Sequence, residues 1–316
     1  MATEYGPAQG FFTSFFSCGC DSAGPSDNVL TNKYRDNAKD QPKEPLHLFN
    51  LGSALQERGK LKEAIQCYKE ALAIDPKYAE CFYNCASALQ CLGEYEKCIE
   101  QYLKAIELRE DYTLAHYNLG YVYQDYGQTQ EALKCFERAS QLEPNDIDIH
   151  INLGNCYRDL AEVGKAVKVY TRACKTSPDN VMAHYNLASA HQEQGNVDNA
   201  IKYFRMTLKL DPEYIDAHFN LGIAYQDKSM FEAALKCYEN THMLDETFVE
   251  AENAAKSIRE IIRFNKKKKR RDMAKDRDKD KDKENNGMTQ KIIEKEKIAR
   301  NERGVHRNEL TVTDCF

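Results

Sequence analysis

The chain has 316 residues, 42% hydrophobic and 30% charged, with a formal net charge of −6 at pH 7. No apolar run approaches the roughly 18 residues that a spanning helix needs, so no membrane-spanning helix is expected and the composition is that of a soluble chain. Charge is divided along it: a net −2 over residues 1–44, −10 over residues 45–248 and +6 over residues 249–316.

Residues 1–44 are expected to form a disordered arm. Phe11, Phe12, Phe15 and Phe16 stand directly before Cys18 and Cys20. This run is too short for a signal peptide, and Glu4 precedes it without a basic charge. Alanine at residue two excludes N-myristoylation. Cys18 and Cys20 are candidates for S-acylation, and membrane association is expected only through this arm. The plainer reading is that the phenylalanines dock on the rest of the chain or on a partner.

From residue 45 the sequence repeats. Asn50, Asn84, Asn118, Asn152, Asn186 and Asn220 stand 34 residues apart, a period that marks a two-helix solenoid repeat. With Pro45 as position one, six repeats run 45–78, 79–112, 113–146, 147–180, 181–214 and 215–248. Position eight is Gly or Ala in every repeat and position twenty is Ala or Cys, so the two helices can approach closely. Position 24 is always aromatic: Tyr68, Tyr102, Phe136, Tyr170, Phe204, Tyr238. Gly59, Gly93, Gly127 and Gly195 occupy position fifteen, where a left-handed residue ends the first helix. Ala161 and Ser229 replace glycine there. Proline at position 32 of four repeats stops the second helix.

Beyond the repeats, residues 249–264 carry Ala254, Ala255, Ile258, Ile261 and Ile262 at helical spacing and are expected to cap the array. Residues 265–316 hold no hydrophobic period and are expected to be mostly disordered, apart from a short charged helix near 289–302. Lys266, Lys267, Lys268, Lys269, Arg270 and Arg271 form a candidate nuclear-import run or protein contact. The acids of the tail offset many of its lysines, so nucleic-acid binding has no strong case. One reading is that a flexible basic tail tethered to an acidic array folds back and competes for it with outside partners; the other is a freely solvated tail that serves solubility or nuclear import.

The twelve cysteines do not read as a disulfide framework. Cys67, Cys135 and Cys237 share position 23, and Cys85 and Cys98 replace core residues. They are expected to be small buried hydrophobes in a reducing compartment, cytoplasmic with nuclear access through the basic run. No paired C-x-x-C knuckle occurs, so neither a metal site nor a cofactor is expected.

These residues resemble the tetratricopeptide repeat family over 204 of the 316 residues. Within it, the array is similar to the superhelical repeat domain of the O-linked N-acetylglucosamine transferases. The resemblance implies an all-α fold: a right-handed superhelix of six helix-turn-helix repeats with a C-terminal capping helix, flanked by disordered tails. It also implies that the asparagines form a ladder along the inner groove, beside an acidic ladder, and hold the backbone of an extended peptide.

Helical geometry leads the same way. Positions four, seven, eight and eleven share the packing side of the first helix, while positions two, six, nine and thirteen lie opposite. The asparagines are thus expected to face away from the core of their own repeat. Position thirteen reads Glu57, Cys91, Asp125, Asp159, Glu193 and Asp227. A side-chain amide matches the N–H and C=O of any backbone, and the acids favour Lys/Arg-rich or hydroxyl-rich segments. The competing reading is that Asn-Leu-Gly is repeat consensus and the acids are ordinary solvated charges. His116, His150, His184 and His218 at position four are expected to be structural.

The expected function is a non-catalytic scaffold or adaptor that binds extended segments of other proteins. The alternative is a substrate-recognition subunit or fragment of an O-GlcNAc-transferase-like glycosyltransferase. Only 68 residues follow the array, short of the roughly 100 of a typical catalytic domain, and no catalytic motif occurs. Acidic chaperone C-termini are not expected partners. They need a clamp of basic residues, and position two instead includes Glu80, Asp148 and Asp216.

Overall fold

The computed structural model describes residues 25–40 and 44–309, and among these it contains fourteen helices and no strand. After α1 (Pro25–Asp40), six helix pairs follow with bounds that recur every 34 residues. The first helices are α2 (Pro45–Glu57), α4 (Ala79–Cys91), α6 (Thr113–Asp125), α8 (Ile147–Asp159), α10 (Val181–Glu193) and α12 (Ile215–Asp227). The second helices are α3 (Leu61–Ile74), α5 (Tyr95–Leu108), α7 (Thr129–Leu142), α9 (Val163–Thr176), α11 (Val197–Leu210) and α13 (Phe231–Leu244), and α14 (Val249–Glu309) follows. The fold is an all-α solenoid. It divides into two compact units, one running to Tyr214 with α1–α11 and one from Ile215 with α12–α14.

In the first unit each first helix packs on its own second helix and on the second helix of the preceding repeat. The aromatic ring at position 24 is the centre of each hairpin: Tyr68, Tyr102, Phe136, Tyr170 and Phe204 are fully buried. Truncating such a ring to alanine costs about 3–5 kcal/mol. Its fit explains the small residue at position eight, since a Cβ on Gly52 would lie 2.6 Å from the Tyr68 ring. At position fifteen the four glycines adopt φ of 70° to 76°, and Ala161 and Ser229 are held at 59° and 56°, against the preference of an L-residue.

Both flanks depart from the expected disorder. Within the arm, α1 is helical and packs on α2: Thr31 is buried, Tyr34 joins the core cluster of the first repeats, and Arg35 lies 4.0 Å from Glu63. The edge of the first repeat is apolar, and covering it outweighs the arm's weak periodicity. Cys18 and Cys20 lie outside the described residues.

In the second unit, α14 continues far beyond residue 264. Its start packs on α13 through Ala255, Ile258 and Ile262, which meet Ala234 and Tyr238. From Arg263 onward every described side chain is exposed. The helix persists because its interior has no proline, Lys and Arg are good helix formers, and opposite charges recur three residues apart from Asp272 to Lys283. The basic run therefore lies on a continuous helix.

Candidate functional site

Asn84, Asn118 and Asn152 lie in the seams between repeats of the first unit. Asn118, Asn152 and Asn186 are only 4%, 4% and 5% exposed, and Asn50, Asn84 and Asn220 are half-buried. Asn84 donates to Ser53 Oγ (3.3 Å) and Asn118 to the Tyr83 hydroxyl (2.7 Å). Asn152 donates to Tyr117 and Tyr121 (both 3.2 Å) and to the Asp148 carbonyl (2.8 Å). The amide donors thus face away from the core of their own repeat, as expected, and are engaged by the preceding one. A single helical wheel accounts for the partner helix within a repeat, but the neighbouring first helix also covers position six. The hydroxyl partners Tyr83 and Tyr117 stand at position five, 35 residues before their asparagines. That offset was readable in the sequence, though only a known stacking geometry gives it meaning. At Asn186 the corresponding residue is Ile151, and the Asn186 Nδ2 has no partner.

A second regularity ties position twelve to position 24. The hydroxyls of Tyr68, Tyr102 and Tyr238 donate to Gln56, Gln90 and Gln226 at 2.9, 3.1 and 3.0 Å. The third repeat has Phe136 instead, and the buried Gln124 Oε1 is left without a donor. In the fourth, Arg158 replaces glutamine and pairs with Glu193 (Nε to Oε1 3.0 Å), while the Tyr170 hydroxyl turns to Asn155 (2.6 Å).

The same middle repeats differ at their entry turns. Phe49–Tyr78, Tyr83–Tyr112 and Tyr185–Tyr214 stack with ring centroids 5.0–5.1 Å apart. Asp146 and Asn180 stand where those second rings would be and cap α8 and α10 through the N–H groups of Ile149 (2.9 Å) and Ala183 (2.8 Å).

The acidic positions are open to solvent. Glu57, Asp125, Asp159 and Glu193 are the last residues of α2, α6, α8 and α10, Asp227 ends α12, and all five are exposed. A helix C-terminus carries the negative end of the macrodipole, so a carboxylate there is disfavoured by roughly 0.3–1 kcal/mol. Partial desolvation holds the carboxyls of Asp125 and Asp159 above the usual range, and Arg158 beside Asp159 offsets this only in part. Asp125 has no ion pair or hydrogen bond among the described residues.

The histidines serve the turns: His116 and His184 bond through Nε2 to the carbonyls of Glu110 (3.0 Å) and Pro178 (2.9 Å). Burial raises the described cysteine thiols, Cys81, Cys98, Cys135 and Cys156 to about 12 and Cys85 to about 11, which keeps them protonated. No metal-binding cluster of His, Cys, Asp or Glu occurs among the described residues.

Hairpins of fixed length, stacked within the first unit through seams that recur in register, define an α-solenoid scaffold of the protein-interaction type. A family model described as "TPR repeat" matches residues 52–93, 91–127 and 154–195, and one described as "Tetratricopeptide repeat" matches 113–146 and 181–214. The chain belongs to the tetratricopeptide repeat family. Among solved structures it is similar to YrrB, described as a TPR protein with an unusual peptide-binding site, at 25% identity and TM-score 0.55, covering 61% of this chain and 99% of that one. It also resembles in fold the C-terminal part of a TPR protein from Cytophaga hutchinsonii, at 15% identity and TM-score 0.64, covering 72% and 94%. A third likeness is to a chain of the APC/C Cut9–Hcn1 hetero-tetramer, at 18% identity and TM-score 0.52, covering 73% of this chain and 46% of that one. No curated protein matches significantly. No described helix is long and apolar enough to cross a membrane.

Proposed function

We propose that the chain is a non-catalytic adaptor that holds an extended, Lys/Arg-rich or hydroxyl-rich segment of another protein along the ends of the first helices of its first unit. The observation that carries this is the acidic row. Glu57, Asp125, Asp159 and Glu193 end α2, α6, α8 and α10 on a carboxylate, against the helix dipole, and Asp125 and Asp159 are partly desolvated as well. Such placement works against stability, and an incoming cation would relieve it. Asn84, Asn118 and Asn152 then act mainly by holding the repeats in register, while the buried amide donor of Asn186 is unengaged.

The test is a titration of labelled peptides that alternate Lys or Arg with Ser or Thr into the whole chain. Replacing Asp125 and Asp159 by Asn together should weaken binding and flatten its salt dependence, with helicity unchanged. Equal affinity in wild type and variant at low salt would reject the acidic row as the contact surface.

A further inference from the structure

The exposed start of α14 has two distinct sides. Ala251, Ala255, Ile258 and Ile262 are buried and recur four, three and four residues apart, so they form one packed stripe. At about 100° per residue, Ile261, Phe264, Lys267, Lys268, Arg271 and Lys275 fall within a single arc of about 120° on the roughly opposite side. No acidic residue between positions 261 and 275 enters that arc. Ile261 is 36% exposed and Phe264 66%, and all four basic side chains are exposed. None of the four makes an ion pair or hydrogen bond among the described residues.

We propose that this face of α14 docks on an anionic membrane surface. Lys267, Lys268, Arg271 and Lys275 meet the lipid phosphates and carboxylates, while Phe264 and Ile261 enter the headgroup boundary. The arrangement is one-sided, as a planar surface requires, and it spans about 20 Å of helix. A basic helix face with aromatic and aliphatic side chains beside it lies in the interface plane. A nucleic-acid duplex would satisfy the cations and leave the exposed phenylalanine without a role. The contact is peripheral, and it assigns membrane affinity to a segment other than the N-terminal arm.

The experiment is co-sedimentation of the whole, unacylated chain with vesicles of phosphatidylcholine alone and of phosphatidylcholine with phosphatidylserine. Binding is expected only to the anionic vesicles and should fall as salt rises. Near such a surface each Lys or Arg contributes about fivefold in partition. Lys267→Gln, Lys268→Gln, Arg271→Gln and Lys275→Gln together should therefore lower binding by roughly two to three orders of magnitude, and Phe264→Ala by several-fold. Lys266→Gln, Lys269→Gln and Arg270→Gln remove charge from the other side of the helix and should have a smaller effect per residue. Circular dichroism of each variant verifies that the helix persists. The proposal is overturned by equal binding to both vesicle types, by off-face substitutions as damaging per residue as the face set, or by capture of duplex nucleic acid without vesicle binding.

Discussion

Phe136→Tyr adds one oxygen where the structure has an acceptor waiting. Gln124 Oε1 is buried without a partner, whereas its counterparts in the first, second and sixth repeats accept from a tyrosine hydroxyl at 2.9–3.1 Å. The Phe136 ring already sits over Gly120 as Tyr68 sits over Gly52: a Cβ would meet Cε1 at 2.9 Å in one and 2.6 Å in the other. A para hydroxyl would thus be aimed at Gln124 without repacking. An unsatisfied buried acceptor costs about 1–3 kcal/mol, and a new hydroxyl carries its own desolvation, so the net gain should be about 1–2 kcal/mol. For a folded body of this size that is a rise in Tm of roughly 2–8 °C. Because stacked repeats can unfold in parts, thermal melts should be paired with hydrogen exchange at the amides of α6 and α7. The partner variant Gln124→Leu closes a double-mutant cycle. If Phe136→Tyr leaves the midpoint unchanged or lowers it, or if its effect survives in the Gln124→Leu background, the pairing of positions twelve and 24 is not the stabilising contact described.

Three other outcomes are expected. Asn152→Ala should destabilise by about 1–3 kcal/mol despite the better helix propensity of alanine, because Tyr117 and Tyr121 lose their donor; a chemical denaturation curve unchanged from wild type would contradict this. Ala161→Gly should stabilise by up to about 1 kcal/mol by relieving a positive φ, measured as a shift in the urea midpoint, with Ser229→Gly behaving alike. The carboxyls of Asp125 and Asp159 are raised in the folded chain, so the folded state holds their protons more tightly and these groups oppose folding as pH rises through their titration. A bound basic peptide should draw both back down. Its affinity should therefore fall as pH drops through the carboxylate range, and Asp125→Asn with Asp159→Asn should remove that slope.

The repeat, its helix bounds and its turn residues were legible in the sequence because they depend on local physics. Period, small-to-aromatic pairing and a glycine with positive φ are set within one hairpin, and 34-residue spacing repeats the same solution. That position thirteen ends each first helix was legible for the same reason, since the end of a helix is a local property. What only the tertiary structure decided lies between elements. A wheel drawn on one helix cannot show that the preceding repeat's first helix covers position six, so the engagement of Asn118 by Tyr83 and of Asn152 by Tyr117 is visible only in the stacked repeats. The departures of the middle repeats, Phe136, Ile151 and Arg158, are ordinary substitutions in sequence and become orphaned or rewired polar groups only when their partners are in place. The flanks were missed in two ways. Helix α1 draws its stability from the apolar edge it covers, which no pattern within residues 25–40 announces. Helix α14 continues on charge spacing and helix propensity, where a hydrophobic period was the signal sought.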